Sequence, residues 1–334
     1  MVAHMALPGL DPSGTPATMS APIVGDLLRQ QIGFEGLVFS DSMSMAAIAR
    51  MVSPGEAAVR AIAAGADIVL HSPDDAAAAD ALKAAVAGGR ISRARLDASV
   101  QRLLTAKAGL GLHLSRAVDL GEVASHVGGR QHAAVGRTIS ERGLTLVRNA
   151  PRHVPLDVPR STRVLVLSVL DYPGSWRIAA PGRTFIPAIR DRWPDVTAIE
   201  LSDRSTPSEL DLVRASAPGY GAIVIAIYVR AASGSGRLDL APPVARLVSD
   251  IAPLSTPERP VVAVFFGNPY AAASVADVPA MLLTYDFGDL AEASAVRALA
   301  GEIPVRGKLP IAIPEIAAVG EGLALTSPRM SSSP

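Results

Sequence analysis

The chain has 334 residues, of which 49% are hydrophobic and 19% charged, a length and composition that suit two globular domains with substantial cores. Lysine plus arginine and aspartate plus glutamate number 31 each, and this zero net charge argues against a nucleic-acid binder or a protein held on anionic membrane. Cysteine is absent, which excludes disulfides and thiolate metal sites and leaves the compartment open.

The longest apolar runs are about 7–9 residues, far short of the roughly 20 that cross a bilayer. Met1–Met5 lacks the basic and apolar regions of a signal peptide and reads instead as the tail of a strand. Residues 6–22 carry Pro8, Pro12, Pro16 and Pro22 and read as a long loop. Pro22 then opens a helix to about Gln31. Gly33 and Gly36 flank a short apolar strand over 36–40, closed by Asp41, and residues 43–50 are predicted helical. Ser53-Pro54-Gly55-Glu56 has the capping-box pattern and starts a helix that ends at Ala64-Gly65. A buried strand over 66–70 follows, with His71 at its C-terminal end, then a helix over 74–88. Strand, helix, strand, helix with short connections predicts a parallel sheet.

Ser92 caps a helix over 92–108 with Leu96, Val100, Leu103 and Leu104 on one face. An irregular stretch over 112–126 and a helix over 129–142 lead to a second pattern. Apolar runs at 143–149, 164–170, 197–202, 222–229, 261–266 and 281–285 alternate with predicted helices at 184–192, 207–216, 242–252 and 289–300. Near-continuous apolar strands suit a sheet covered on both faces. The Ser/Pro-rich tail, 326–334, is predicted disordered.

Asp41 is the leading chemical candidate, because a carboxylate at the C-terminal lip of a buried strand is where (β/α)8 barrels place catalytic groups. The competing reading is a helix cap. His4, which follows a strand and precedes a proline loop, reads either as a pocket wall or as a core histidine bonded to main chain. His71 carries the same two readings. Met45 is a pocket floor or ordinary core. The six histidines show no His-x-His or His-Glu-x-x-His spacing, so neither metal nor cofactor is expected. The Gly234-Ser235-Gly236 loop lacks a phosphate-cradle pattern and reads as a loop whose neighbours Arg230 or Arg237 could touch substrate.

Several blocks resemble glycoside hydrolase family 3, in its bacterial β-N-acetylglucosaminidase branch with two domains. Val2-Ala3-His4-Met5-Ala6-Leu7-Pro8 with Asp11, and Pro16–Ser20, resemble the segment around the sixth barrel strand. Gly33 to Asp41 with Met45 resembles the nucleophile strand. Gly55–Ala61 and Ala64–Asp67 resemble the approach to the eighth strand, and Ser99-Val100, Arg102-Leu103-Leu104, Lys107 and Leu110–Leu112 the helix leaving the barrel. Phe266–Tyr270 and Gly307–Pro310 are similar to blocks of the family's sandwich domain. The resemblance implies an α/β fold, the C-terminal part of a (β/α)8 TIM barrel (1–112), a helical linker (113–142) and an open α/β/α sandwich (143–325). It implies retaining hydrolysis of terminal β-linked N-acetylglucosamine, with Asp41 as nucleophile and His4, Met45 and Arg230 around a carbohydrate substrate. β-Glucosidase or β-xylosidase activity, a phosphorolytic variant, and a truncated, non-catalytic fragment are the alternatives. The family's Lys-His-Phe-Pro-Gly-His-Gly loop, source of the histidine acid/base, has no counterpart in these residues. The expectation is therefore that an N-terminal barrel segment must be supplied, with the compartment cytoplasmic or, if a signal lies upstream of Met1, exported.

Overall fold

The computed structural model describes residues 1–150, 152–171, 181–230 and 238–326. The chain divides into two units, Met1–Val123 and Ala124–Pro334. In the first, a π-helical stretch, Pro22–Gln31, leads to β1 (Phe39–Ser42) and α1 (Ala46–Ala49), then α2 (Pro54–Ala64), β2 (Ile68–Leu70), α3 (Asp75–Ala87) and α4 (Arg93–Gly109). β1 pairs in parallel with β2, and Val2 bridges Ser40 in parallel on the other side. The expected parallel βα succession is present, with local shifts.

The strand expected over 36–40 runs over 39–42 instead. Arg29 donates from one guanidinium nitrogen to the carbonyls of Phe34 and Gly36, at 2.8 and 2.6 Å, so the lead-in is held by a side chain rather than by a neighbouring strand. The helix expected from 43 starts at Ala46. The Met43 amide donates to the Leu70 carbonyl and the Met45 amide to the Ser42 carbonyl, which turns the chain before the helix can form. Ser53 does cap α2, accepting the Glu56 amide at 3.3 Å, while the Glu56 carboxylate is taken by Arg60 and Arg90.

One buried carboxylate fixes the foot of β2. The Asp67 side chain is fully buried and accepts from the Val38 amide at 2.9 Å, Ser99 Oγ at 2.6 Å, Arg102 at 3.1 Å and Arg29. Arg95 lies 3.6 Å away and donates to the Ala66 carbonyl and to Ser99. The network joins the π-helix, β1, β2 and α4. Burial raises the Asp67 pKa, but the bonds from Ser99 and Val38 and the charges of Arg29 and Arg102 outweigh it and leave the carboxyl below its ordinary value.

β2 is covered less than a barrel strand should be. Its three residues are all only half-buried, and among the described residues β1 is its single strand neighbour. Beside it lies an apolar groove of about 580 Å³, lined by residues that include Ile62, Val69, Leu82, Val86, Ile91 and Leu103.

The second unit opens with α5 (Val123–His126, at the junction) and α6 (Arg130–Gly143), then β3 (Thr145–Asn149), β4 (Val164–Asp171), α7 (Phe185–Arg192), β5 (Val196–Ser202), α8 (Pro207–Ser216), β6 (Ala222–Val229), α9 (Pro242–Ile251), β7 (Val261–Gly267), β8 (Ala280–Leu283) and α10 (Asp289–Leu299). The sheet order is β3-β8-β7-β6-β4-β5, all parallel except the edge strand β3. All eight residues of β6 are buried, as the unbroken apolar run requires. Leu165, Leu167 and Val169 face a core shared with α8 and α9, and Val164 and Val166 one shared with α7 and α10. This is the open α/β/α sandwich that the sequence implied. Across it, Glu292 of α10 is buried and accepts the amides of Gly182, Thr184 and Phe185 and the Tyr228 hydroxyl, capping α7 from outside its own chain segment. No helix among the described residues is long and apolar enough to cross a membrane.

Candidate active site

A regular parallel ladder through the bond from the Ile68 amide to the Val38 carbonyl would continue two residues on. The Leu70 amide would reach the Ser40 carbonyl, and the Ser42 amide the Leu70 carbonyl. Neither bond is the one observed. Phe39 pairs with Ile68 but Ser42 with Leu70, so β1 contains one residue more than β2 over the same span, a β-bulge. The Leu70 amide donates to Ser40 Oγ at 2.8 Å, and the Leu70 carbonyl accepts from Met43 at 3.0 Å rather than from Ser42. The displaced Ser42 amide donates to Asp41 Oδ1 at 2.7 Å.

Asp41 is therefore held at the C-terminal end of a parallel strand by its own bulge. Its amide donates to the Val2 carbonyl at 3.0 Å and its carbonyl accepts Ser40 Oγ at 2.8 Å. The carboxylate is half-buried, with Oδ1 engaged and Oδ2 without a hydrogen-bond partner among the described residues. The helix-cap reading falls away. The cap position of α1 is Met45, and no side chain bonds there.

His4 stands next to this strand end. Its Nε2 is 2.9 Å from the Ser42 carbonyl, an oxygen that can only accept, so Nε2 carries a proton and donates. Nδ1 lies 2.8 Å from Thr18 Oγ1, which also reaches the carbonyls of Val2 and Ala3. Both ring nitrogens are thus committed within the protein. On the other side, His71 ends β2 in the left-handed backbone region, φ 51°. Its Nδ1 is 2.9 Å from Ser42 Oγ and 3.2 Å from Ser44 Oγ. The structure brings His4, Asp41 and His71 to one lip of one sheet, with Ser42 bonded to all three.

Met45 is 42% exposed just beyond the lip, whereas Met43 is buried in the core of the unit. Arg230 lies in the second unit, directly after β6, with its guanidinium 5.7 Å from the centroid of the Phe287 ring. Arg237 and the Gly234–Gly236 loop lie outside the described residues. Sequence reasoning passed over Ser40, Ser42 and Ser44. Three hydroxyls surround Asp41 in the sequence, but what each does depends on the register of β1 against β2, which no local pattern shows. Among the described residues no group of three or more His, Asp and Glu side chains could hold a metal ion.

A half-buried carboxylate on the C-terminal lip of a parallel βα sheet stands where barrel enzymes place their chemistry, here in a chain whose second part is an open α/β/α sandwich. Residues 1–106 match the Glycosyl hydrolase family 3 N terminal domain. The chain is 28% identical over 334 residues to the Beta-N-acetylglucosaminidase/beta-glucosidase of Cellulomonas fimi, an alignment that covers 93% of this chain and 57% of that protein. It is 40% identical over 115 residues to Beta-hexosaminidase LpqI of Mycobacterium tuberculosis, covering 32% of this chain and 29% of the relative. The structure of a glycoside hydrolase family 3 beta-N-acetylglucosaminidase from Paenibacillus sp. str. FPU-7 superposes with a TM-score of 0.75 at 27% identity, covering 90% of this chain and 55% of the other. Residues 1–106 thus match the N-terminal domain of glycoside hydrolase family 3, and the chain along most of its length is similar to proteins of that family. It spans little more than half the length of the relatives that it matches throughout.

Proposed function

We propose that this chain carries the nucleophile half of a retaining glycosidase acting on terminal β-linked N-acetylglucosamine, with Asp41 attacking the anomeric carbon to form a glycosyl-enzyme. The observation that carries the reading is the divided role of the Asp41 oxygens. Oδ1 is oriented by the Ser42 amide, and Oδ2 is left open at the strand's C-terminal end. Retaining hydrolysis needs that nucleophile and a proton donor, about 5–5.5 Å away when both are carboxyl groups. His4 has no free nitrogen with which to be the donor, so its place in the site is a wall beside the sugar, and Met45 is a further candidate for substrate contact. The donor is supplied by barrel strands other than those seen here. The uncovered edge of β2 and its apolar groove support that reading.

A substrate whose leaving group needs no proton isolates the nucleophile. A 5-fluoro β-N-acetylglucosaminyl fluoride should form a covalent adduct on Asp41, read by peptide mass spectrometry, and Asp41→Asn should abolish it. Turnover of ordinary chromogenic β-N-acetylglucosaminides by the chain alone should be negligible. No adduct, or an adduct that persists in Asp41→Asn, overturns the assignment. Preferential labelling by the matching 2-fluoroglucosyl reagent would move the substrate to β-glucosides, the second activity in the name of the Cellulomonas relative.

A further inference from the structure

We infer that Ser40 is a positioning residue, whose hydroxyl holds the bulge that aims the Asp41 carboxylate; the functional part of this inference rests on the nucleophile reading above. Ser40 is fully buried, inside β1, where the apolar strand pattern calls for an aliphatic side chain. Its Oγ does two things at once. It accepts the Leu70 amide at 2.8 Å, in place of the Ser40 carbonyl that a regular ladder would use. It also donates its one proton to the Asp41 carbonyl at 2.8 Å, turning that peptide unit toward it.

The observed register runs the Leu70 amide toward the Asp41 carbonyl, and the Ser40 hydroxyl bridges the two, accepting from the one and donating to the other; without it, the bulged step loses that brace against a slide of β1 back into the regular ladder. That ladder hands the Ser42 amide to the Leu70 carbonyl and takes it from Asp41 Oδ1. It also changes the face on which Asp41 stands, because side chains alternate along a strand. The bulge is thus braced by one side-chain oxygen set between the Leu70 amide and the Asp41 carbonyl. His4 adds a second grip through Nε2 on the Ser42 carbonyl. Ser40 does not touch a substrate in this account and acts only through Asp41.

The test compares Ser40→Ala with Ser40→Thr, which keeps the hydroxyl. In the fluoride-labelling assay, Ser40→Ala should form the Asp41 adduct at least about 10-fold more slowly at saturating reagent, with the half-saturating concentration unchanged, since a misplacement near 1 Å costs on the order of 100-fold. Ser40→Thr should restore most of the rate. Amide hydrogen exchange should show faster exchange at Leu70 in Ser40→Ala. A parental labelling rate in Ser40→Ala, or a Ser40→Thr as slow as the alanine variant, overturns the inference. If the parent chain itself is not labelled, the nucleophile reading fails, and the positioning claim is decided by a crystal structure of Ser40→Ala. There the Ser42 amide should have moved from Asp41 to the Leu70 carbonyl, and an unchanged bulge would refute it.

Discussion

Replacing Asp67 by Asn tests how the first unit is held together. The substitution keeps the shape of the side chain and removes its charge. Four groups donate to the carboxylate: the Val38 amide, Ser99 Oγ, Arg102 and Arg29. An amide can keep one or two of these, with Oδ1 as acceptor, and its NH₂ must face at least one group that is itself a donor. At least two charge-assisted bonds are lost, and three guanidiniums, 13–33% exposed, remain without their counter-ion. Removing one partner of a buried ion pair costs about 3–5 kcal/mol. For a unit the size of Met1–Val123, about 4 °C of Tm is lost per kcal/mol, so the unit should melt about 12–20 °C lower. Calorimetry resolves this, because the second unit should melt as before. The acid limb gives a second check. The Asp67 pKa is depressed in the fold, so its stabilisation is present above the ordinary value of 3.8 and is lost as pH falls below it. Asp67→Asn should flatten that limb. A drop of less than about 3 °C at neutral pH would refute the network's role.

Arg90, with Arg60, brings the Glu56 carboxyl down to about 2, so the pairing should stabilise the fold above the ordinary Glu value of 4.5 and lose its effect as pH falls toward 2; urea titrations of Arg90→Ala should show a small deficit at pH 7 that closes in acid, and a deficit independent of pH would contradict this. Tyr228→Phe keeps the 4.6 Å stacking on Phe266 but withdraws a donor from buried Glu292, and should cost about 1–2 kcal/mol in chemical denaturation of the second unit.

The sandwich was legible in the sequence because its strands are buried on both faces and its helices are amphipathic. The runs at 222–229 and 261–266 match β6 and β7 to within a residue. The direction of β3 was not legible, since a five-residue strand carries no mark of whether it runs parallel or antiparallel. Nor was the reason for Gly307, where a Cβ would stand 2.3 Å from the Leu144 carbonyl, a contact made by residues 163 positions apart. In the first unit, Asp41 was legible as a polar stop to an apolar strand. Ser40 was not, because a buried serine beside an aspartate has no meaning until the register of two strands is known. Asp67 was read as part of a family block, and its burial among three arginines drawn from distant segments has no local signature.

The extra residue in β1 has an evolutionary consequence. A deletion of one codon there would give β1 and β2 equal lengths over this span and abolish the bulge that holds Asp41. A lineage selected for stability alone has that shortcut open at every generation, and a lineage that needs the carboxylate must keep refusing it.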